Sequence, residues 1–363
     1  MASLAWLPLE GASADAITLQ HRDPLKAIEQ GIIPAIVIRG LLRYAEARDL
    51  VDRLLHLRAA GLAPNACNEQ WQASRSWMEV APTYWTLGPD LSNCLLKGST
   101  IAMERRARWF EHVVSANNLT QAVHAARSAL HTLAAGRRLR RALDDTSGRP
   151  LLPAMFRVHR AGNRFPLHFD TLHTSDWDRR ACGTAGRIRG ERNLSHSALS
   201  EPRRTGELAA RYPDVLRYRS QLAAILVLQP AHDDTTHGAS KRAEAPAAAV
   251  NALAGSRLHR LGERRARAAA AAEVSVHEPH WASLVDDCSV AGASHSGGVH
   301  LRGYPQSGRA ASARRAQISL DAGDLYVFHS NRLHEVHEVH GEMERVTLAI
   351  AAGLSESDVA LWA

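Results

Sequence analysis

The sequence predicts a mainly β protein with α-helices: a β-sandwich or jelly roll carrying an N-terminal helical layer. Three observations carry this. Helix-period patterns lie before residue 150. Short apolar runs of strand length dominate after it. One of them, Gln221-Leu222-Ala223-Ala224-Ile225-Leu226-Val227-Leu228, is nearly continuous, the pattern of a strand buried on both faces. The expected organisation is a helical region over 1–150 packed on a β core over 151–363, with an insert at about 231–316.

Residues 32–38 form the first β-type run. Residues 41–60 read as an amphipathic helix, with Leu41, Tyr44, Leu50, Val51, Leu54, Leu55 and Leu57 at helical spacing and Gly61 just past its end. A second helical region covers about 101–143, with Trp109, Phe110, Val113, Val123, Ala126, Leu130 and Leu133 as its apolar face. Its basic end (Arg137, Arg138, Arg140, Arg141) suits a helix C-terminus. Strands are expected at 155–160, 165–173, 221–228, 317–320, 324–329 and 345–352, with turn chemistry at Ala322-Gly323-Asp324. The insert is rich in Ala, Arg, His, Ser and Gly with little periodicity. A lid, a disordered insertion and a stretch translated out of its natural frame all fit it. Trp71, Trp77, Tyr84 and Trp85 make an aromatic-rich patch that either packs in the core or lines a pocket.

A chain of 363 residues and 39.6 kDa can bury a sizeable core. Its 45% hydrophobic and 22% charged residues are ordinary for a globular protein. No apolar run approaches a membrane span, and the first residues lack the basic start of a secretory leader. The four cysteines lie far apart with no C-x-x-C, which argues against a disulfide framework. A cytoplasmic protein is expected. The net charge of +7 allows nucleic acid as a partner. Yet only three of the 44 basic residues are Lys, and few of the 5% aromatics interleave with the Arg clusters. That pattern reflects base composition rather than a stacking platform, so no nucleic-acid partner is expected.

The twenty His are the odder feature, because imidazole is the commonest metal ligand. The most informative stretch runs from Gly323-Asp324-Leu325-Tyr326-Val327-Phe328-His329 through Leu333-His334-Glu335-Val336 to Arg345-Val346-Thr347-Leu348. A strand delivers a His, a short connection follows, and a second strand opens with Arg345 and Thr347 on one face. Upstream, alternation puts His168 and Asp170 of His168-Phe169-Asp170 on one face. H-x-D also occurs at His21/Asp23 and His232/Asp234, so context decides. The first sits in a loop-like stretch beside Pro24, and the third, after Pro230, is the real rival. His329, His337 and His340 compete with His334; His337 leads a second His-Glu-Val step. A zinc site from this cluster would lack the usual paired spacing.

His168, Asp170 and His334 would supply two imidazoles and a carboxylate, the ligand set of non-haem Fe(II) with open positions on the opposite face. A bidentate 2-oxo acid can fill two of these and dioxygen the third. The planar fork of Arg345 then suits the far carboxylate of that co-substrate, and Thr347 can add a hydrogen bond.

With these residues the sequence resembles the Fe(II)/2-oxoglutarate-dependent oxygenases, especially prolyl-hydroxylase-like members and relatives that act on small molecules. The resemblance lies in His168-Phe169-Asp170, the 323–328 strand, Leu333-His334-Glu335-Val336, Gly341 and Arg345-Val346-Thr347-Leu348, and covers roughly 154–230 and 317–353. It implies a double-stranded β-helix (jelly roll), Fe(2+), 2-oxoglutarate as co-substrate, O2, and a small-molecule substrate. His168, Asp170 and His334 would be the metal ligands, and Arg345 and Thr347 would hold the co-substrate. Members that halogenate replace the carboxylate ligand with a small residue; Asp170 is present, so the resemblance points to hydroxylation. The spacing from His334 to Arg345 is about one residue longer than in common members, and His232-Asp233-Asp234 stands where a Gly-Gly-Glu step is usual. Two other readings remain: a cupin-like metal-dependent isomerase or dioxygenase, which would not need Arg345, and a non-catalytic jelly-roll binding protein.

Overall fold

A computed structural model describes residues 6–62, 77–80, 84–88, 107, 110–144, 147–159, 165–168, 213–218, 220–230, 272–277, 299–303, 314–330, 333–336 and 343–363. In chain order the elements begin with β1 (Leu9–Gly11), α1 (Ala14–Gln20), α2 (Pro24–Glu29), β2 (Ala35–Ile38), α3 (Tyr44–Leu62), β3 (Trp77–Val80) and β4 (Tyr84–Leu87). A helical stretch at 110–116 precedes α4 (Thr120–Leu133). Then come β5 (Arg138–Arg141), β6 (Leu143–Asp144), β7 (Arg149–Pro150), β8 (Met155–His159), β9 (Phe165–His168), α5 (Pro213–Leu216) and β10 (Ser220–Gln229). The chain ends with β11 (Ala272–His277), β12 (Val299–Gly303), β13 (Arg314–Leu320), β14 (Leu325–His329), β15 (Leu333–Val336), β16 (Arg345–Leu354) and β17 (Asp358–Trp362).

Among the described residues the strands form two larger sheets and a small β6–β7 pair. The first runs β1-β2-β14-β10-β16-β8-β4-β3, with β17 and then β5 added beside β16. The second runs β12-β13-β11-β15-β9. At the centre of the first, β10 pairs antiparallel with both β14 and β16, and all but one of its residues are buried. This is the two-sided burial that the apolar run predicts.

Alternation gives the first sheet two distinct faces. Register puts Leu226, Leu348, Phe156 and Leu325 on one face. They share a core with Leu50 and Leu54 of α3 and Leu130 and Leu133 of α4. Each such side chain withdrawn from water contributes about 1.5–3 kcal/mol. Leu87 and Trp85 on β4 belong to this core too, so Trp85 is a packing residue. Trp71 lies outside the described residues.

Helix starts follow their local sequence. Ser13 accepts the Ala16 N–H at the start of α1, and Asp23 accepts the Lys26 N–H at the start of α2, ahead of Pro24. The loop between β13 and β14 turns at Gly323, φ +91°, where a Cβ would collide with the Leu42 carbonyl.

Three expectations need correction. The basic segment 137–141 is not a helix end. The helix stops at Leu133, Ala135 and Gly136 take φ of 54° and 86°, and β5 then runs parallel to β17. Carboxylates rather than a helix dipole meet its guanidiniums: Asp23 for Arg137, Asp358 for Arg138, Asp214 for Arg140, Glu111 for Arg141. Gly61 lies inside α3, which continues to Leu62, and is not its end. The N-terminal region is not only helical, since β1 to β7 lie within it. In the insert, β11 and β12 are strands of the second sheet, and most of the rest lies outside the described residues. Among the described residues no helix is long and apolar enough to cross a membrane.

Candidate functional site

The other face of the first sheet holds the candidate chemistry. Register aligns Thr347 with Val227 on one side and Arg157 on the other, and Arg345 with His159. Tyr326 and Phe328 of β14 sit opposite Ile225 and Ala223, on this same face. Arg345, Thr347, Tyr326 and Phe328 are therefore side chains of one surface, contributed by the two strands that flank β10.

Their contacts form a path. The Arg345 Nη2 donates to the Tyr326 hydroxyl at 3.3 Å, reaching across β10. The Tyr326 ring stacks on Phe328, centroids 5.6 Å apart and 11° from parallel. Phe328 meets the His334 ring edge-on at 4.7 Å. His334 belongs to β15, so this contact joins the two sheets. Arg345 and His334 are each 2% exposed and Thr347 is 1% exposed. The Arg345 Nε is buried and makes no hydrogen bond, and among the described residues no carboxylate pairs with this guanidinium. A buried guanidinium held only by a phenol is costly unless an anion arrives.

On the second sheet β15 pairs antiparallel with β9, and His334 stands directly opposite His168 in register. The strands therefore bring two of the three proposed ligand positions together from 166 residues apart. Asp170, two residues beyond His168, lies outside the described residues. So do His337, His340 and the rival His232/Asp234 pair. Among the described residues no group of three His, Cys, Asp or Glu is gathered for a metal. His329 is aligned with Leu222, on the helix-facing side of β14, and its Nε2 lies 3.3 Å from the Ser220 hydroxyl. It is removed from the Arg345 face. The His21/Asp23 match has a structural role: Asp23 caps α2 and accepts two hydrogen bonds from Arg137, at 2.9 and 2.6 Å.

Sequence reasoning did not single out Tyr326 and Phe328 as site residues. The available signal was their i, i+2 spacing on the strand that precedes His334. It also missed Arg58, which pairs with Glu344 immediately before Arg345. Nothing in the sequence links residues so far apart.

No protein-family model and no curated protein matches the sequence. Among the solved structures that match, three that align over most of the chain do so at low similarity. The N-substituted L-amino acid dioxygenase from Burkholderia ambifaria AMMD is 14% identical, with 94% of this chain and 91% of that chain covered and a TM-score of 0.40. The non-heme alpha ketoglutarate dependent epimerase SnoN from nogalamycin biosynthesis is 11% identical, covering 91% and 85%, TM-score 0.33. HygX from Streptomyces hygroscopicus, with nickel and 2-oxoglutarate bound, is 13% identical, covering 89% and 84%, TM-score 0.32. At these scores the likeness carries no argument, and the chain's own residues bear the functional reading.

Proposed function

We propose that the chain is an Fe(II)- and 2-oxoglutarate-dependent oxygenase on a double-stranded β-helix, hydroxylating an unactivated C–H bond of a small molecule. The observation that carries this reading is the buried Arg345 guanidinium, joined through Tyr326 and Phe328 to His334, whose register partner is His168. The donor set suits ferrous iron: two imidazoles, with the carboxylate of Asp170 as the third ligand. The orphaned Arg345 Nε suits a bound carboxylate. His168, Asp170 and His334 would hold the iron; Arg345 and Thr347 would hold the far carboxylate of 2-oxoglutarate.

When bound, iron with 2-oxoglutarate and O2 supplies the oxidising chemistry, yielding succinate, carbon dioxide and the hydroxylated product. The protein's part is placement and exclusion of water. Arg345 fixes the co-substrate by one end. Ala349, Ile225 and Val227 on the same face offer no competing polar group, which strengthens the electrostatic grip on that carboxylate. A cupin-like enzyme without 2-oxoglutarate would leave the buried Arg345 without a task. Nine arginines are engaged in ion pairs among the described residues, which leaves fewer cations for a nucleic-acid backbone.

Anaerobic titration with Fe(II) and 2-oxoglutarate, followed by visible absorbance, tests the reading. A weak charge-transfer band should form with wild type and be lost in Asp170→Ala and His334→Ala. In Arg345→Gln it should require far more 2-oxoglutarate. Loss of the band in Asp234→Ala with its survival in Asp170→Ala would overturn the ligand assignment.

A further inference from the structure

We infer that Phe328 is a positioning residue that sets the spacing between the metal and the clamp for the far carboxylate, and with it the length of 2-oxo diacid that the site accepts. This rests on the oxygenase reading above. The two ends of the proposed site are carried by different sheets. Arg345 and Tyr326 stand on β16 and β14 of the first sheet, and His334 stands on β15 of the second. Phe328 bridges them: its ring stacks on Tyr326 with centroids 5.6 Å apart, and it meets the His334 ring at 4.7 Å and 66°. Arg345, Tyr326, Phe328 and His334 are each 2% exposed, so the bridge is buried along its length.

The register partners of Phe328 on its own sheet are small: Ala223 of β10 on one side and Ala35 of β2 on the other. Methyl groups at these positions leave the ring room to extend to the second sheet. A close-packed interior transmits such a contact as a fixed spacing, because a ring cannot be compressed and a void forfeits contacts. The ring also bears on the plane of the imidazole. The last torsion of a histidine has broad preferences, so its neighbours decide where the ring nitrogens point. An edge-to-face partner favours one tilt over others. A diacid gripped at both ends senses this spacing directly. Its 2-oxo and adjacent carboxylate oxygens would sit at the metal and its far carboxylate at Arg345, so one methylene more or less misplaces an end.

The test is anaerobic and uses the full chain. Co(II) affinity is read from the visible ligand-field bands. Binding of 2-oxoglutarate, and of its homologue one methylene longer, 2-oxoadipate, is read with Fe(II) from the charge-transfer band. Wild type should bind 2-oxoglutarate about tenfold more tightly than 2-oxoadipate, the scale of one misplaced methylene. In Phe328→Leu that preference should fall to about threefold or less. Co(II) should bind there about tenfold more weakly, as when a group that orients a ligand is lost. Phe328→Met, the variant less exposed to misfolding, keeps side-chain length and a soft contact with the imidazole, and should fall between. Phe156→Leu is the control for simple loss of core: Phe156 is fully buried on the opposite, helix-facing side of the sheet. It should lower the thermal midpoint and leave the diacid preference and the Co(II) bands as in wild type. The inference is overturned if wild type takes both diacids alike, if the Phe328 variants keep the wild-type preference, or if Phe156→Leu relaxes it equally. Failure of wild type to bind 2-oxoglutarate at all would instead remove the oxygenase reading itself.

Discussion

Both terminal nitrogens of Arg58 donate to the Glu344 carboxylate, at 2.7 and 2.5 Å. Arg58 lies on α3, and Glu344 is the residue immediately before Arg345. The Gln229 side chain also donates to the Glu344 carbonyl, at 2.6 Å. The start of β16 is thus held from a helix and from a neighbouring strand, and the buried guanidinium follows from that anchor. The pair is about one-fifth exposed, so it keeps more strength than a fully solvated one. Arg58→Ala is expected to weaken 2-oxoglutarate binding about fivefold, corresponding to ~1 kcal/mol. Anaerobic titration would show this, and wild-type affinity should fall with added salt where the variant's falls less.

Asp324, just before β14, ties the two sheets beside Val227, at the same end of β10 as Glu344. Its carboxylate, 2% exposed, accepts from Arg39 at 2.6 Å, from the Gly40 N–H at 2.8 Å and from the Asp321 N–H at 3.0 Å. Arg39 reaches the Ser319 carbonyl on β13 at 2.7 Å. Burial works against the Arg39 charge, but Asp324 and then Glu10 outweigh it and hold its pKa above the ordinary value. Asp324→Ala leaves that cation without its main partner, and a loss of about 3 kcal/mol is expected, as for a broken buried pair. Denaturant unfolding would measure it. An unchanged midpoint would mean that Arg39 finds another partner.

The central strands β10, β14 and β16 were legible because burial on one or both faces leaves an apolar pattern that needs no distant information. Helix α3 was legible for the same reason. The end strand β17 was missed, since Asp358-Val359-Ala360-Leu361-Trp362 is too short to stand out without its neighbours. The β5 segment misled because its arginines alternate on an edge and meet carboxylates from Asp23, Asp214 and Asp358, pairings spanning 74 to 220 residues. His168, His334, Arg345 and Thr347 were legible as residue types at motif spacing. The path through Tyr326 and Phe328 was not, because it depends on β10 lying between β14 and β16.

Acid should unfold the protein through its depressed carboxylates. Burial alone would raise the Asp214 pKa. Hydrogen bonds from Arg140, at 2.7 and 2.5 Å, and from the Leu143 N–H, at 2.9 Å, outweigh it and hold the pKa below the ordinary value. Asp23 and Asp358 are lowered likewise, by Arg137 and Arg138. A carboxylate whose folded pKa is depressed adds stability that is fully present above its unfolded value, about pH 4, and is lost as pH falls toward the folded one. The thermal midpoint should therefore drop steeply below about pH 4. Asp214→Asn should have a lower midpoint at pH 7 and a shallower acid fall. An identical acid slope in variant and wild type would mean that the folded and unfolded pKa values of Asp214 are equal.

Tyr326 bears most directly on the proposed co-substrate position. Among the described residues its hydroxyl is the hydrogen-bond partner of the Arg345 guanidinium. A phenol that accepts from Arg345 can also donate its own proton to the carboxylate that the guanidinium would hold. On the proposed reading it would orient the cation and add a second donor to the same anion. Tyr326→Phe keeps the ring that stacks on Phe328 and removes only the oxygen. Its expected cost is about 1 kcal/mol in 2-oxoglutarate binding, near fivefold in Kd, with a similar loss of thermal stability in the unliganded protein. The same substitution made on top of Arg345→Gln should add little, because the two groups act on one carboxylate. Full additivity in that double variant would show that Tyr326 acts away from the Arg345 anion.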